Sequence, residues 1–131
     1  MKKKGMVCQP KTLGEHMRNR RLELGLRQEY VAAQLGTVRE VYERWERDVR
    51  EPVVSEWPGI LAFLGYYPFS QHEVADLVLK ARRCQGVGQK RLAAAIGVIH
   101  QRLRRWEHGA EMPDADSMRR LADLANCGAS C

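Results

Sequence analysis

Apolar residues along this chain recur at helical rather than strand spacing. Leu13, Met17 and Leu24 fall on one stripe of a first helix, and Val74, Leu77, Val78 and Ala81 on one stripe of a later one. Gly25 and Gly86 follow these two runs as residues able to adopt the left-handed backbone that ends a helix. A second helix is predicted over Gln28–Leu35 and again over Gln89–Ile96, with Ala32 and Ala93 small where two helices must approach closely. Gly36 and Gly97 then mark a tight turn, and a third helix runs on to Trp45 or Trp106. A fourth fits Glu56–Leu64, with Ser55 as N-cap, Pro58 in the first turn and Gly65 as its stop. Its counterpart spans roughly Ala115–Asn126 and ends at Gly128. No segment alternates with the period of a strand, so the predicted fold class is all-α.

The succession of elements repeats because the sequence repeats. At a fixed offset, from Gly25 to Gly86, the chain matches itself at Arg21/Arg82, Gln28/Gln89, Ala32/Ala93, Ala33/Ala94 and Gly36/Gly97. The identities continue through Arg44/Arg105, Trp45/Trp106, Glu46/Glu107 and Pro52/Pro113, and no insertion is needed. Conservative pairs such as Val31/Leu92, Leu35/Ile96, Val38/Ile99, Tyr42/Leu103 and Ile60/Leu121 fill the gaps. Two copies of one unit are the natural reading. The expected division is a basic tail over 1–11, a first domain over 12–66, a connector over 67–72, a second domain over 73–127 and a short tail over 128–131. The stretch GYYPFSQH (65–72) is rich in aromatic residues and proline, the content of a packed connector rather than of a flexible linker.

A helix, then Gln-x-x-[Val/Leu]-Ala-x-x-[Leu/Ile]-Gly, then a helix ending in Trp-Glu, then Pro, resembles the phage-repressor-like (Cro/C1, XRE-type) helix-turn-helix family. The likeness covers most of 12–66 and 73–127. MRNRRLELGLRQEYVAAQLG is the closer match, and ARRCQGVGQKRLAAAIG keeps the spacing with unusual substitutions. The tandem order, with FLGYYPF between copies, looks like a group of bacterial regulators carrying two such units.

The resemblance implies a sequence-specific regulator whose recognition helices, 39–46 and 100–107, enter the major groove of double-stranded DNA. By position, the base-facing residues are Arg39, Glu40 and Arg44 in the first copy, and His100, Gln101 and Arg105 in the second. Arg suits guanine, Gln adenine, and Glu the amino group of cytosine. Gln28 and Gln89 match the family's phosphate-contacting glutamine. Lys90, Arg91, Arg102 and Arg104, with the Lys2–Lys4 arm, would add sequence-independent contacts. Glu46 and Glu107 match a glutamate that pairs with an arginine of the first helix, here Arg21 and Arg82, while Trp45 and Trp106 hold core positions. Two such units arranged as in a dimer would read half-sites about one duplex turn (~34 Å) apart.

Two features depart from the family pattern. Val38 and Ile99 stand where it prefers a Ser or Thr N-cap, and neither can accept a hydrogen bond from the helix amides, so the helix start is expected to be shifted or loosened. The first recognition helix sets Glu40, Glu43 and Glu46 against Arg39, Arg44 and Arg47 for no net charge. The second copy is therefore expected to be the stronger binder. The runner-up reading is a protein-interaction module of the same fold, an antitoxin or adaptor, presenting Tyr30, Tyr42 or Tyr66.

Composition narrows the choice. The chain has 131 residues, 44% of them hydrophobic, and a formal net charge of +6 with a pI near 9.4, which favours an anionic partner. The charge is uneven: residues 1–10 carry +3, residues 11–70 hold nine basic and nine acidic side chains, and residues 71–131 hold ten basic and seven acidic. No apolar run approaches a membrane span, and the start lacks the apolar core of a signal peptide, so a cytoplasmic protein is expected. Cys8, Cys84, Cys127 and Cys131 show no metal-ligand spacing and are expected to be free thiols, Cys84 in a buried place. No phosphate loop, nucleophile elbow or HExxH motif is present, so neither catalysis nor a cofactor is expected. Homodimer or protein partner is left open.

Overall fold

The computed structural model describes residues 5–126, and among them every regular element is helical. The order is α1 (Leu13–Leu24), α2 (Gln28–Gln34), α3 (Arg39–Glu46), α4 (Trp57–Leu64), α5 (Val74–Gln85), α6 (Gln89–Ile96), α7 (His100–Glu107) and α8 (Ala115–Leu124), with a 3₁₀ turn, Val54–Glu56, leading into α4. Gly25 and Gly86 end α1 and α5 with φ of 70° and 68°, the left-handed region that glycine enters without a Cβ clash. The expected C-terminal tail, with Cys127 and Cys131, and the Lys2–Lys4 arm lie outside the described residues.

The chain divides into two compact units whose boundary falls between Pro52 and Val53. This moves α4, expected to close a first domain over 12–66, into the second unit. The cause is its packing: α4 and the 3₁₀ turn lie against α5, and the Arg83 guanidinium on α5 sits 4.1 Å over the Trp57 ring. The 65–72 connector joins the same group. Phe69 packs edge-on against both Trp57 and Tyr67, and Arg83 donates to the Tyr67 hydroxyl at 3.1 Å.

In the first unit α1 and α2 both pack on α3, burying Met17, Val31, Ala32, Tyr42 and Trp45. Leu24, the last residue of α1, is 46% exposed, so Met17 carries that helix's buried stripe. The start of α1 is heavily bonded. The Thr12 hydroxyl accepts from the Glu15 amide at 3.1 Å, and the Glu15 carboxylate accepts from the Thr12 and Lys11 amides, a reciprocal cap. From beyond α3, Asp48 accepts from the Gly14 amide at 3.0 Å and from the Thr12 hydroxyl at 2.7 Å. The described part of the expected N-terminal tail is also tied down: Asn19 exchanges two hydrogen bonds with the Val7 backbone, and Arg18 donates to the Gly5 carbonyl.

The second unit holds a core of Val78, Ala81, Leu92, Ala93, Ile96, Leu103, Trp106, Leu121 and Ala125. Asp114 caps α8 by accepting from the Ser117 amide at 2.9 Å, and α8 ends at Leu124 with Ala125 as C-cap, short of the expected Asn126. Ser55 is not the cap of α4. It lies inside the 3₁₀ turn, where Glu56 accepts from the Val53 amide at 2.8 Å. Cys84 is buried as expected, and Cys8 is free and exposed.

Gly14 supplies a test of the first unit. A Cβ there would stand 2.5 Å from the backbone oxygens of both Trp45 and Glu46, atoms that cannot rotate away. Gly14→Ala is expected to push α1 off α3 and to cost about 1–3 kcal/mol. Thermal unfolding checks this, and an unchanged melting temperature would contradict the close approach.

Candidate nucleic-acid interface

Three helices of the first unit meet at one carboxylate. Glu46, on the last turn of α3, has a side chain only 2% exposed. It accepts from Arg21 Nε of α1 at 2.6 Å and Nη2 at 3.1 Å, and from Gln28 Nε2 of α2 at 3.2 Å. Arg21 also donates to the Leu26 carbonyl, and its hydrogen bond to Glu46 raises its pKa further above the ordinary arginine value. Burial first, and then the nearby Glu46, raises the Tyr42 pKa and keeps that phenol protonated. The second unit repeats the arrangement. Arg82 Nη1 and Gln89 Nε2 donate to Glu107 at 2.6 and 2.7 Å, and His100 Nε2 lies 3.1 Å from Gln89 Oε1, so it donates there in the tautomer protonated on Nε2.

Gln28 and Gln89, matched in the sequence to a phosphate-contacting glutamine, each also bond within the fold. Each commits an amide proton to a carboxylate within the fold, because an anion at hydrogen-bond distance is a stronger acceptor than water. That bond holds the start of α2 or α6 against the end of α3 or α7.

The outward faces of α3 and α7 differ in charge and in order. On α3, Arg39, Glu40 and Arg44 are exposed; Arg39 lies 4.0 Å from Glu29, and Glu43 is bound to Arg47 at 3.0 Å. On α7, Gln101, Arg104 and Arg105 are exposed, with His100 and Arg102 half-buried. Lys90 and Arg91 are exposed on the first turn of α6. An open cleft of about 580 Å³ is lined by Arg82, Gly88, Gln89, Lys90, Arg91 and His100. A second, of about 250 Å³, is lined by Gln101, Arg104, Arg105, His108 and Ala110. The structure therefore brings together Lys90, Arg91 and His100 at one opening, and Gln101, Arg104 and Arg105 at another.

No motif spacing in the sequence points to Glu111, in the loop after α7. It accepts from Arg102 Nε at 3.0 Å, Arg105 Nε at 3.2 Å and Trp106 Nε1 at 3.2 Å, and these donors, Arg102 foremost, lower its pKa below the usual carboxylate value. The repeat places Arg50 at the equivalent position of the first unit. There the Trp45 indole Nε1 is buried without a hydrogen-bond partner, since an arginine has no acceptor to offer.

Val38 and Ile99 are 59% and 63% exposed, and neither gives α3 or α7 a side-chain cap. The helices nevertheless begin directly after them, so the expected shift of the helix start does not occur: the backbone carbonyls of Val38 and Ile99 open the ladders. Tyr42 is fully buried and cannot belong to an interaction surface, whereas Tyr30 and Tyr66 are exposed.

No protein-family model, curated protein or solved structure matches this chain. Among the described residues no helix is long and apolar enough to cross a membrane, and no three His, Cys, Asp or Glu side chains gather as a metal site requires.

Two stability tests follow from this geometry. Glu46→Gln strands Arg21, whose side chain is 11% exposed, and is expected to cost about 3–5 kcal/mol. Glu107→Gln, with both partners of its pair more exposed at 21% and 16%, should cost less; equilibrium unfolding of both variants checks the order, and a larger loss at Glu107 would contradict it. Ile99→Ser should give α7 the missing acceptor and raise stability by about 1 kcal/mol, read as a higher melting temperature.

Proposed function

We propose that the chain is a sequence-specific double-stranded-DNA-binding regulator with two unequal helix-turn-helix copies, α2–α3 and α6–α7, the second being the main reader. The observation that carries this reading is the exposed surface of the second unit: Lys90 and Arg91 at the start of α6 and Gln101, Arg104 and Arg105 along α7. Glu107, which ends α7, and Glu111, just beyond it, are both paired with arginines. Exposed cations suit phosphate, while Gln101 and Arg105 have the donor patterns that pair with adenine and guanine. The uncapped amides at the start of α7 add donors that an anion can satisfy. Cytoplasmic action on chromosomal DNA follows from the same reading, and neither catalysis nor a cofactor enters it.

The first copy supports a weaker or different role. Glu40 and Glu43 stand on the face that would meet a negatively charged duplex, and Tyr30 is exposed on α2. An interaction surface for a protein partner, or for a second copy of the chain, suits that half.

The test is binding to duplex DNA at graded salt, followed by selection of bound sequences from a random pool. Affinity should fall steeply with salt, with log affinity losing about 0.9 per phosphate contact for each tenfold increase. Lys90→Ala should reduce that slope by about 1 without changing the selected sequence, and Arg105→Ala should cost about 1–3 kcal/mol and relax one base position. Affinity that is flat from low to physiological salt, or a pool with no enriched sequence, would contradict the proposal.

A further inference from the structure

Three donors converge on Glu111. Its Oε2 accepts from Arg102 Nε and from the indole Nε1 of Trp106, and its Oε1 accepts from Arg105 Nε. The tryptophan ring is part of the buried core, so this carboxylate is tied to a rigid base. Arg102 is steadied further by lying 5.5 Å from the Trp106 ring centroid. Arg105 is half exposed, with 50% of its side chain open to solvent, and the bond that holds it uses only Nε.

We propose that Glu111 is a positioning residue that fixes Arg105 to read guanine and so makes the second copy the more discriminating of the two. This rests on the DNA-binding reading above. With Nε engaged by the carboxylate, Nη1 and Nη2 remain as two parallel donors, the pair that matches O6 and N7 of guanine in the major groove. An arginine held in this way loses less conformational freedom when it binds a base than one that must be ordered from solvent.

The first copy lacks the device. Arg50 replaces Glu111 and Val41 replaces Arg102. Arg44, the equivalent of Arg105, is exposed, and no carboxylate stands at the repeat position of Glu111 to hold it. The orphaned indole of Trp45 records the same missing acceptor. Glu111 also places a negative charge near the duplex, which weakens binding to every sequence alike. Its two effects therefore have opposite signs: it favours the correct base and disfavours DNA in general.

The experiment measures binding of the full chain to the selected duplex, to that duplex with the Arg105-dependent guanine replaced, and to random duplex, for wild type, Glu111→Gln and Arg50→Glu. Glu111→Gln keeps a carbonyl acceptor for the indole, and its melting curve verifies the fold. It is expected to bind random duplex several-fold more tightly while its preference for guanine at that position falls roughly tenfold, the scale of one bidentate base contact. Arg50→Glu should do the converse in the first copy, gaining discrimination at the position read by Arg44 and losing affinity for random duplex.

Equal shifts in specific and random binding by Glu111→Gln would show that the carboxylate acts only as a repelling charge and would overturn the proposal. If Glu111→Gln fails to fold, the Arg50→Glu arm decides alone, and no gain of discrimination there overturns it. Absence of salt-dependent duplex binding by wild type is a separate result: it removes the DNA-binding reading itself and this proposal with it.

Discussion

A carboxylate on the last turn of α3, closed off from water, has to be neutralised by neighbours, and that requirement sets the arrangement of the first unit. Glu46 draws Arg21 from α1 and Gln28 from α2 to a single point, so three short helices that could not persist alone share one fixed corner. A more exposed version of the corner recurs around Glu107, with Arg82 and Gln89. A buried ion pair adds little net stability over an apolar substitute, yet removing one partner leaves an uncompensated charge. Its effect is therefore on geometry: the angle of α3 or α7 is fixed from its C-terminal end, and the opposite face of that helix is left open to solvent.

The two units solve the rest of the problem differently. In the first, the start of α1 is locked by Asp48 and by the absence of a side chain at Gly14; in the second, Ala75 and Gly109 stand at the equivalent positions. The second unit instead places Glu111 under Trp106 and clasps two arginines of α7, while Arg50 at the matching place leaves Trp45 without an acceptor. The two copies share the frame and differ in outward chemistry, one face carrying mixed charge and the other cations held by Glu111.

Much of the fold was legible because its signals are local. Glycines at 25, 65, 86 and 97 end helices in the left-handed backbone that their φ values show, and the 3.6-residue stripe located Val78 and Ala81 in the core. Local signals failed where a distant contact decides. The boundary after Pro52 depends on Arg83 stacking on Trp57, two residues whose side chains meet only in three dimensions. Ser55 looked like a cap because serine suits caps, but Glu56 bonding back to Val53 draws the chain into a 3₁₀ turn first. Among the candidate site residues, the family resemblance pointed to the pairs Arg21–Glu46 and Arg82–Glu107, which the fold forms. It could not say that Gln28 and Gln89 spend a donor on those carboxylates, that Tyr42 is buried, or that Glu111 holds Arg102 and Arg105. Each of these depends on which way a side chain turns after the helices have packed.

The proposed duplex-DNA surface of α7 and the start of α6 can be followed through backbone amide NMR signals while random-sequence duplex is added. Shifts are expected to concentrate at Gln89–Arg91 and His100–Arg105, with weaker changes at Arg39–Arg44, and to be lost when salt is raised. Signals at those α6 and α7 positions that stay still while others move, or a spectrum unchanged by DNA, would contradict it.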